Sequence, residues 1–352
     1  MSQPAAPARL VVRAPNWLGD AVLALPAMAA LRRAFPSSEL TIAALPSIAA
    51  IFRERIAAAP DRVLEVPPGS GAAQAAIESG RFDAGILFPN SFRSAWILYR
   101  AGVRERWGYP TAGRGLLLTK RIRRSPRGSA RHQADYYRAL VTGIGLPCAV
   151  DERPSLHPSE PSAQRAESLL RQYRAPVDRP LVALSPGAAY GQAKQWAPDR
   201  MAELAARLVT ERGVTCVIVG ATNDRPASRA IESWLRARAP EAAERVIDLV
   251  GHTSMGALAG VLARAAVCVS NDSGAMHLAS ALGRPVVAIF GPTDERATRP
   301  AGEHDLITEP VFCRPCMLRD CPIDHRCMKR ITVERVFDAV SARLASAGAG
   351  SA

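Results

Sequence analysis

The sequence predicts an α/β protein made of two doubly wound, Rossmann-like domains. Short apolar runs alternate with helical patterns along 352 residues, which is typical of parallel strands joined by crossover helices. The Pro- and Ser-rich stretch 152–164 is interpreted as the boundary between domains at 1–160 and 161–352. We expect the two domains to face each other across a cleft at the carboxyl ends of their strands, where open α/β sheets bind ligands.

The first half begins with a strand predicted at 10–14 and a helix at 20–34. Pro26 lies inside that helical pattern and is expected to kink the helix or end its first turn. Asp20 follows Gly19 where strand and helix meet, a position that suits either a helix cap or an acid used in chemistry. Further strands are predicted at 40–45, 63–66 and 84–89, and the basic segment 110–131 is interpreted as a loop.

The second half repeats the alternation. Pro198 near the start and Gly213 after the end delimit a helix at 198–213. The remaining elements are a strand followed by a loop at 180–188, strands at 214–220, 245–251 and 285–292, and a strand, loop and helix at 265–283. A final helix is predicted near 332–347, and its packing back on the first domain is left open.

The net charge of +13 is concentrated in one segment. Residues 93–131 hold eleven Lys or Arg and one acid, Glu105, which accounts for +10 of the total. Such a segment suits anionic lipid, a phosphorylated substrate or nucleic acid, or is simply a solvated Arg-rich face. No nucleic-acid-binding motif accompanies it, so nucleic acid is not favoured. No apolar run is long enough to span a bilayer and no secretory signal is apparent, so we expect a cytoplasmic location.

Loops suited to phosphate follow two predicted strands of the second half. In SNDSGAMHLA (270–279), Asp272, Ser273 and Gly274 precede a helix whose opening turn holds His277. Free N–H groups at a helix N-terminus favour an anion, although an ordinary capped helix gives the same pattern. In the second loop, Ser185 and Gly187 are followed by Lys194, which suits a contact with phosphate. Neither a Walker loop nor G-x-G-x-x-G is present, so a dinucleotide cofactor is not supported.

Two further loops are weaker candidates. Asp224 lies between a strand and a helix, where an acid can accept hydrogen bonds from ribose hydroxyls. Thr253 lies in VGHTSMGAL (250–258), where a plain N-cap at Thr253 or Ser254 is the simpler explanation.

Four cysteines lie close together in CRPCMLRDCPIDHRC. Cys313, Cys316, Cys321 and Cys327 include one C-x-x-C pair, a spacing that suits a structural zinc site, with His325 as a spare ligand. The alternative is a set of free thiols in a packed loop.

Four segments resemble glycosyltransferase family 9, the ADP-heptose:lipopolysaccharide heptosyltransferases. They are RAPNWLGDAVLALPAMAALRRAFP (13–36), FPNSFRSAWILYRAGVRERWGY (88–109), SPGAAYGQAKQWAPDRMAELA (185–205) and SNDSGAMHLASALGRPVVAIFGPT (270–293). The first and last segments mark the family. The middle two resemble the branch that adds the second heptose of the lipopolysaccharide inner core. The resemblance implies the GT-B fold and inversion at the anomeric carbon, with no metal needed for the chemistry.

The resemblance also implies roles for individual residues. Asp20 matches the proposed general base and Lys194 the lysine at the donor diphosphate. The implied ADP-heptose site comprises Ser185, Gly187, Lys194, Asp224, Thr253, Asp272, Ser273, Gly274 and His277. Candidate acceptor contacts, for which turn formation or surface packing is an equal alternative, are Asn16, Trp17, Asn90, Ser91 and Arg93. The implied acceptor, heptosyl-Kdo-lipid A, is anionic, and the basic segment 93–131 would hold the chain peripherally at the inner face of the cytoplasmic membrane.

Three alternatives remain at this point. The chain could belong to a branch that adds the first or third heptose to another inner-core acceptor. It could bind an ADP-sugar without catalysis, although the presence of both Asp20 and Lys194 argues against that. A basic nucleic-acid-binding protein with a zinc knuckle is the third, and salt-dependent DNA binding without transfer would favour it.

Overall fold

The computed structural model describes residues 4–123, 132–176 and 178–349. The chain divides into two compact units, Met1–His157 (unit 1) and Pro158–Ala352 (unit 2). The sequence predicts this boundary after residue 160, within the first residues of unit 2.

Unit 1 is built around a parallel sheet. Its strands are β1 (Arg9–Arg13), β2 (Glu39–Ala44), β3 (Arg55–Ile56), β4 (Arg62–Glu65), β5 (Ala84–Leu87), β6 (Glu105–Gly108), β7 (Lys120–Arg121) and β8 (Leu156–His157). Its helices are α1 (Leu18–Leu23), α2 (Leu25–Ala34), α3 (Pro46–Ala49), α4 (Ser70–Glu78), α5 (Phe92–Arg100) and α6 (Gln133–Ile144), with 3₁₀ turns at Ala50–Arg53 and Arg114–Leu117.

Among the described residues the sheet of unit 1 has six strands in the order β4-β2-β1-β5-β6-β7, all paired in parallel. Val12 of β1 is in register with Ile42 of β2 and Ile86 of β5. The short strands β3 and β8 form a separate antiparallel pair.

Unit 2 repeats the architecture. Its strands are β9 (Leu181–Ser185), β10 (Thr215–Ile218), β11 (Val246–Asp248), β12 (Val267–Asn271), β13 (Val286–Phe290) and β14 (His304–Thr308). Its helices are α7 (Glu160–Gln172), α8 (Pro198–Arg212), α9 (Arg225–Arg238), α10 (Pro240–Ala243), α11 (Met255–Arg264), α12 (Gly274–Ala281), α13 (Glu295–Thr298), α14 (Arg326–Lys329) and α15 (Val333–Ala349), with 3₁₀ turns at Gln192–Lys194 and Thr222–Asp224.

Both sheets have the same strand order. The order in unit 2 is β11-β10-β9-β12-β13-β14, again parallel throughout. Counted along the chain, each described sheet therefore follows the doubly wound order 3-2-1-4-5-6. The order reverses between β1 and β5 in unit 1 and between β9 and β12 in unit 2, and such a switch point opens a crevice at the carboxyl ends of the strands.

Local sequence explains where the main helices begin and end. The single helix predicted at 20–34 is two helices, because α1 ends at Leu23 and α2 begins at Leu25 with Pro26 in its first turn. Proline has no N–H to donate to the preceding turn, so the predicted break at Pro26 is confirmed. In unit 2, α8 begins at Pro198 and ends before Gly213, which is left-handed with φ 67°.

Each unit buries its own apolar core. In unit 1, Val11, Leu87 and Leu98 are fully buried against the inner faces of α4 and α5. In unit 2, the central strands and α8 enclose Trp196, which is also fully buried. The last helix, α15, adds Val336, Phe337 and Val340 to the core of unit 2, which settles where its apolar side packs.

The interpretation of 110–131 as a loop is wrong within its described part. A 3₁₀ turn at Arg114–Leu117 leads into β7, which pairs with Gly108 of β6 at the sheet edge. The pattern was missed because β7 is only two residues long and basic. Residues 124–131, the end of the predicted basic segment, lie outside the described residues. No helix among the described residues is long and apolar enough to cross a membrane.

Candidate active site

The predicted lysine and one of the predicted acids form a part-buried ion pair at the switch point of unit 2. Lys194 follows β9 and Asp272 follows β12, and their Nζ and Oδ2 atoms are 2.6 Å apart. The exposed fractions of the two side chains are 12% and 6%. The Thr293 hydroxyl, which follows β13, donates to the same carboxylate oxygen at 2.7 Å. The arrangement holds the ammonium group of Lys194 in a fixed place, and Asp272 contributes by orienting it.

Asn271 anchors the loop that carries Lys194. This fully buried residue ends β12, and its Nδ2 donates to the Pro186 carbonyl at 2.7 Å. Its Oδ1 accepts a hydrogen bond from the Trp196 N–H at 3.2 Å. The loop is therefore tied to β12 both before and after Lys194. No short sequence pattern predicts these contacts, because the two partners of Asn271 lie far away along the chain.

The N-terminus of α12 fits an anion, as the sequence predicted. Ser273 is its N-cap residue in an extended conformation, and its side chain caps no N–H of the helix. Instead the Ser273 hydroxyl lies 3.0 Å from the hydroxyl of Ser270. The helix begins at Gly274, and His277 is buried in its first turn. The first amide groups of α12 thus lie at the switch point of unit 2 and have no side-chain cap. Such free amide groups suit a phosphate.

Gly187 and Asp224 are brought together at the same sheet edge. A Cβ atom on Gly187 would lie 2.3 Å from the carboxyl carbon of Asp224, so only glycine allows this approach. Asp224 accepts a hydrogen bond from the Ala221 N–H at 2.8 Å, and burial raises the pKa of its carboxyl group. This contact gives Asp224 a structural role in the β10–α9 turn.

The remaining donor-side candidates differ in placement. Ser185 is the buried last residue of β9, in register with Ser270 of β12. Thr253 is half-buried before α11, and the N-cap of that helix is Ser254, whose hydroxyl accepts from the Ala257 N–H. Of the two predicted N-cap candidates, Thr253 and Ser254, the structure has Ser254 as the N-cap.

We call residues 186–197, between β9 and α8, the lysine loop. A loop that contains the four cysteines packs against it. The backbone N–H of Ala193 donates to the Arg319 carbonyl at 2.9 Å, and Nε2 of His325 lies 2.6 Å from the Ala193 carbonyl. The Tyr190 hydroxyl donates to the Met317 carbonyl at 2.9 Å. We call residues 311–327 the cysteine loop. Its position next to Lys194 was not predicted.

The four thiols of the cysteine loop lie close enough for their charges to interact. Among the described residues, no group of three or more His, Cys, Asp or Glu is arranged to hold a metal ion. Cys316 and Cys321 are exposed and Cys327 is buried, with a pKa raised by burial and by the neighbouring Cys313, Cys321 and Cys316 thiols. The zinc site therefore stays a prediction. Metal analysis of protein purified without chelator would test it.

In unit 1, Asp20 lies at the switch point and has a partner that the sequence did not reveal. It is the third residue of α1, whose N-cap is Trp17, so Asp20 is not the N-cap. The hydroxyl of Tyr137 on α6 donates to the Asp20 carboxylate and accepts from Nε2 of Gln133 at 3.2 Å. Burial, followed by the charge of Asp20, raises the pKa of Tyr137 well above its ordinary value.

The loop after β1 is also positively charged. Arg13, the buried last residue of β1, donates to Oδ1 of Asn16 at 2.8 Å. Burial and the charge of Arg93 lower the pKa of Arg13 to about 10. This coupling places Arg93, which follows β5, near Arg13. Trp17 is 61% exposed. Asn16 and Arg93 thus both lie near Arg13, at the carboxyl ends of β1 and β5. Their amide and guanidinium groups suit an anionic sugar.

The other two acceptor candidates serve the backbone of unit 1. Ser91 is the N-cap of α5 and accepts from the Ser94 N–H. Oδ1 of Asn90 accepts from the Tyr136 hydroxyl at 2.9 Å. Arg114, which is fully buried, donates to the carbonyl of Pro89 and to Oγ of Ser94. Ser91 thus caps a helix, and its role in acceptor binding stays a prediction.

The chain has two doubly wound units. An acid lies at the switch point of unit 1, and a largely buried lysine lies beside an uncapped helix N-terminus at that of unit 2. These features are typical of nucleotide-binding α/β proteins. Comparison with known proteins is more specific. Residues 72–326 match the model of glycosyltransferase family 9 (heptosyltransferase), and the chain belongs to this family.

Similar proteins span nearly the whole chain. Lipooligosaccharide heptosyltransferase 2 of Haemophilus influenzae is 28% identical over 84% of this chain and 86% of its own length. Lipopolysaccharide heptosyltransferase 2 of Escherichia coli K12 is also 28% identical, over 83% of this chain and 85% of its own. The solved structure of E. coli ADP-heptose LPS heptosyltransferase II has a TM-score of 0.82 at 25% identity, covering 96% of this chain and 99% of that one. The predicted family, the GT-B fold class and a glycosyltransferase activity are confirmed.

Proposed function

We propose that this chain transfers L-glycero-D-manno-heptose from ADP-heptose to the first heptose of the lipopolysaccharide inner core, with inversion at the anomeric carbon. The observation that carries the proposal is the placement of Asp20 at the switch point of unit 1 and of Lys194 with the α12 N-terminus at that of unit 2. The choice of substrates is supported by similarity to heptosyltransferase 2 proteins along most of the chain.

On the acceptor side, Asp20 is the proposed general base. It takes the proton of the acceptor hydroxyl as the hydroxyl oxygen forms a bond to the anomeric carbon of the donor. The hydrogen bond from Tyr137 orients the Asp20 carboxylate and holds it in place. The cationic loop formed by Arg13 and Arg93 suits the carboxylates of Kdo in the acceptor.

On the donor side, the bond from the anomeric carbon to the ADP oxygen breaks, and ADP leaves with the electron pair. Negative charge then grows on the diphosphate. Lys194 and the amides at Ser273 and Gly274 are the groups that stabilise it, because they are already in place before the reaction. In this proposal these groups carry the charge of the leaving diphosphate, and the chemistry requires no metal.

Mass spectrometry of a transfer reaction tests the proposal. Purified protein and ADP-heptose are mixed with Kdo₂-lipid A or with its mono-heptosylated form. A gain of one heptose on the second acceptor alone is expected. A gain on the first alone would assign the chain to the branch that adds the first heptose, and ADP binding without any gain would favour a non-catalytic ADP-sugar-binding protein.

The variant Asp20→Asn tests the proposed base. We expect turnover to fall by about 10³-fold, within the range that general bases contribute, with ADP affinity unchanged. A calorimetric ADP titration supplies the control. Turnover near the wild-type rate would remove Asp20 from the chemistry.

We further propose that the chain works in the cytoplasm, bound peripherally to the inner membrane. The support is the net charge of +13 and its concentration in the segment 93–131.

A further inference from the structure

Helix α5 in unit 1 exposes a stripe of aromatic side chains. Phe92, Trp96 and Tyr99 follow one another at helical spacing and are 46%, 39% and 48% exposed. The opposite side of the same helix, including Ile97 and Leu98, is buried in the core. Among the described residues, the buried core cluster of unit 1 thus includes one face of α5, and the three aromatic side chains lie outside that cluster.

The exposed rings are ordered among themselves. The centroids of Phe92 and Trp96 are 6.2 Å apart with nearly parallel planes, and those of Trp96 and Tyr99 are 5.7 Å apart. The 3₁₀ turn at Arg114–Leu117 packs beside α5 and adds Leu116, which is 88% exposed. We call Phe92, Trp96, Tyr99 and Leu116 the α5 patch.

Positive charge surrounds the α5 patch. The guanidinium of Arg100 lies 5.8 Å from the Trp96 ring centroid, and that of Arg106 lies 5.3 Å from the Tyr99 centroid. Arg93 and Arg104 are exposed nearby in the sequence. The single acid between residues 93 and 123, Glu105, accepts a hydrogen bond from the Trp107 indole at 3.0 Å. An apolar centre with a basic rim complements a surface that has apolar chains beneath anionic head groups.

We propose that the α5 patch inserts into the interface of an anionic lipid bilayer and docks the chain on it. Aromatic side chains favour the head-group level of a membrane, and each basic residue near an anionic surface adds to binding. Single-stranded nucleic acid is a poorer match, because Trp96 is already covered by Phe92 and Arg100 and Leu116 offers no ring for a base. The choice of lipid rests partly on the proposed function, in which the acceptor is anchored in a membrane.

Vesicle sedimentation tests the proposal with the full-length chain. Vesicles of phosphatidylglycerol and phosphatidylethanolamine are compared with vesicles of phosphatidylcholine at 0.1 M salt. Wild-type protein should bind the anionic vesicles. The double variant Trp96→Ser/Leu116→Ser should bind them at least about tenfold more weakly, since it removes two large apolar side chains from the interface. Arg100→Gln should weaken binding about fivefold.

The control uses two exposed apolar side chains outside the α5 patch. Val150 and Phe312 are 81% and 80% exposed, and Val150→Ser/Phe312→Ser should bind vesicles like the wild type. Thermal unfolding of each variant checks that the fold is kept. Equal vesicle binding by wild type and the α5 double variant would overturn the proposal, as would wild-type binding to an oligonucleotide but not to anionic vesicles.

The same variants separate this proposal from the proposed function. Heptose transfer to a de-acylated, water-soluble acceptor does not require docking, so Trp96→Ser/Leu116→Ser should retain it. Loss of vesicle binding with normal soluble transfer supports docking through the α5 patch. Absence of transfer in wild type with patch-dependent vesicle binding would refute the proposed function and leave the docking surface in place.

Discussion

Asp20 receives its hydrogen bond from a tyrosine that is buried on another helix. Tyr137 belongs to α6, and its hydroxyl links Gln133 to the carboxylate of Asp20. Tyr137→Phe removes this donor and keeps the ring, so we expect kcat to fall about tenfold while the KM for ADP-heptose stays the same. Steady-state kinetics over a range of donor concentrations measures both. Unchanged kcat would show that Tyr137 has no role in positioning Asp20.

The pH dependence of stability gives a second measurement on Tyr137. Its pKa is raised in the folded state, so the folded chain holds this proton more tightly than the unfolded chain. The contribution of the hydroxyl to the free energy of unfolding is complete below about pH 10, the ordinary tyrosine pKa, and is lost as the pH rises further. Urea unfolding should therefore show a gap of about 2 kcal/mol between wild type and Tyr137→Phe at pH 8, narrowing above pH 10. A constant gap at both pH values would contradict this assignment.

Lys194 and Asp272 depend on each other because their ion pair is largely shielded from solvent, with side chains 12% and 6% exposed. Lys194→Ala leaves the Asp272 carboxylate with Thr293 as its remaining side-chain donor, so we expect the free energy of unfolding to fall by about 3 kcal/mol. We also expect kcat/KM for ADP-heptose to fall at least about 100-fold, because a charge that stabilises the leaving group is lost. Urea unfolding and donor kinetics measure the two effects.

The double variant Lys194→Ala/Asp272→Asn separates stability from chemistry. It removes both charges, so most of the lost stability should return while donor use stays low. Wild-type donor kinetics in Lys194→Ala would take this lysine out of the diphosphate site. Recovery of activity in the double variant would show that the single substitution acted only through the fold.

The cysteine loop and the lysine loop are in direct contact. A Cβ atom on Gly191 would lie 2.5 Å from the Arg319 carbonyl oxygen, so Gly191→Ala must push the two loops apart. We expect the KM for ADP-heptose to rise about tenfold, since Ala193, next to Lys194, is bound to both Arg319 and His325. Donor kinetics measures this effect.

Gly71→Ala is the matched control for Gly191→Ala. An added Cβ at Gly71 meets nothing within 4 Å, and Gly71 is in helix α4, so alanine should be neutral or slightly stabilising there. Equal donor kinetics in wild type and Gly191→Ala would show that the cysteine loop does not position Lys194.

Elements with a strong local pattern were predictable, and contacts between distant elements were not. Buried runs such as 214–220 mark strands, and Pro198 and Gly213 mark the ends of α8. The two-residue strand β7 has no apolar period to detect. The links from Tyr137 to Asp20 and from the cysteine loop to Ala193 join residues far apart in the chain, so no short pattern contains them. Lys194 and Asp272 were found separately as loop residues, and their ion pair appeared only when β9 and β12 became neighbours.

At the scale of the whole molecule, the chain repeats one architecture with different chemistry in each copy. Both described sheets have the order 3-2-1-4-5-6, and each unit has its own buried core. The acid and the cationic loop of Arg13 and Arg93 belong to unit 1. The lysine and the uncapped helix N-terminus belong to unit 2. In the proposed function, this division places acceptor activation in unit 1 and nucleotide binding in unit 2.

A fragment comprising residues 158–352 should therefore fold and bind ADP without transferring heptose. All the donor-side residues lie within it, and its core is large enough for an independent domain. ADP at 100 times its Kd should stabilise the fragment by about 2.7 kcal/mol, which calorimetry detects as a rise in Tm. The same fragment with Lys194→Ala should show a smaller rise. An unfolded fragment would show that unit 2 needs unit 1 for its stability. A folded fragment whose Tm is unchanged by ADP would mean that unit 1 is needed to complete the nucleotide site.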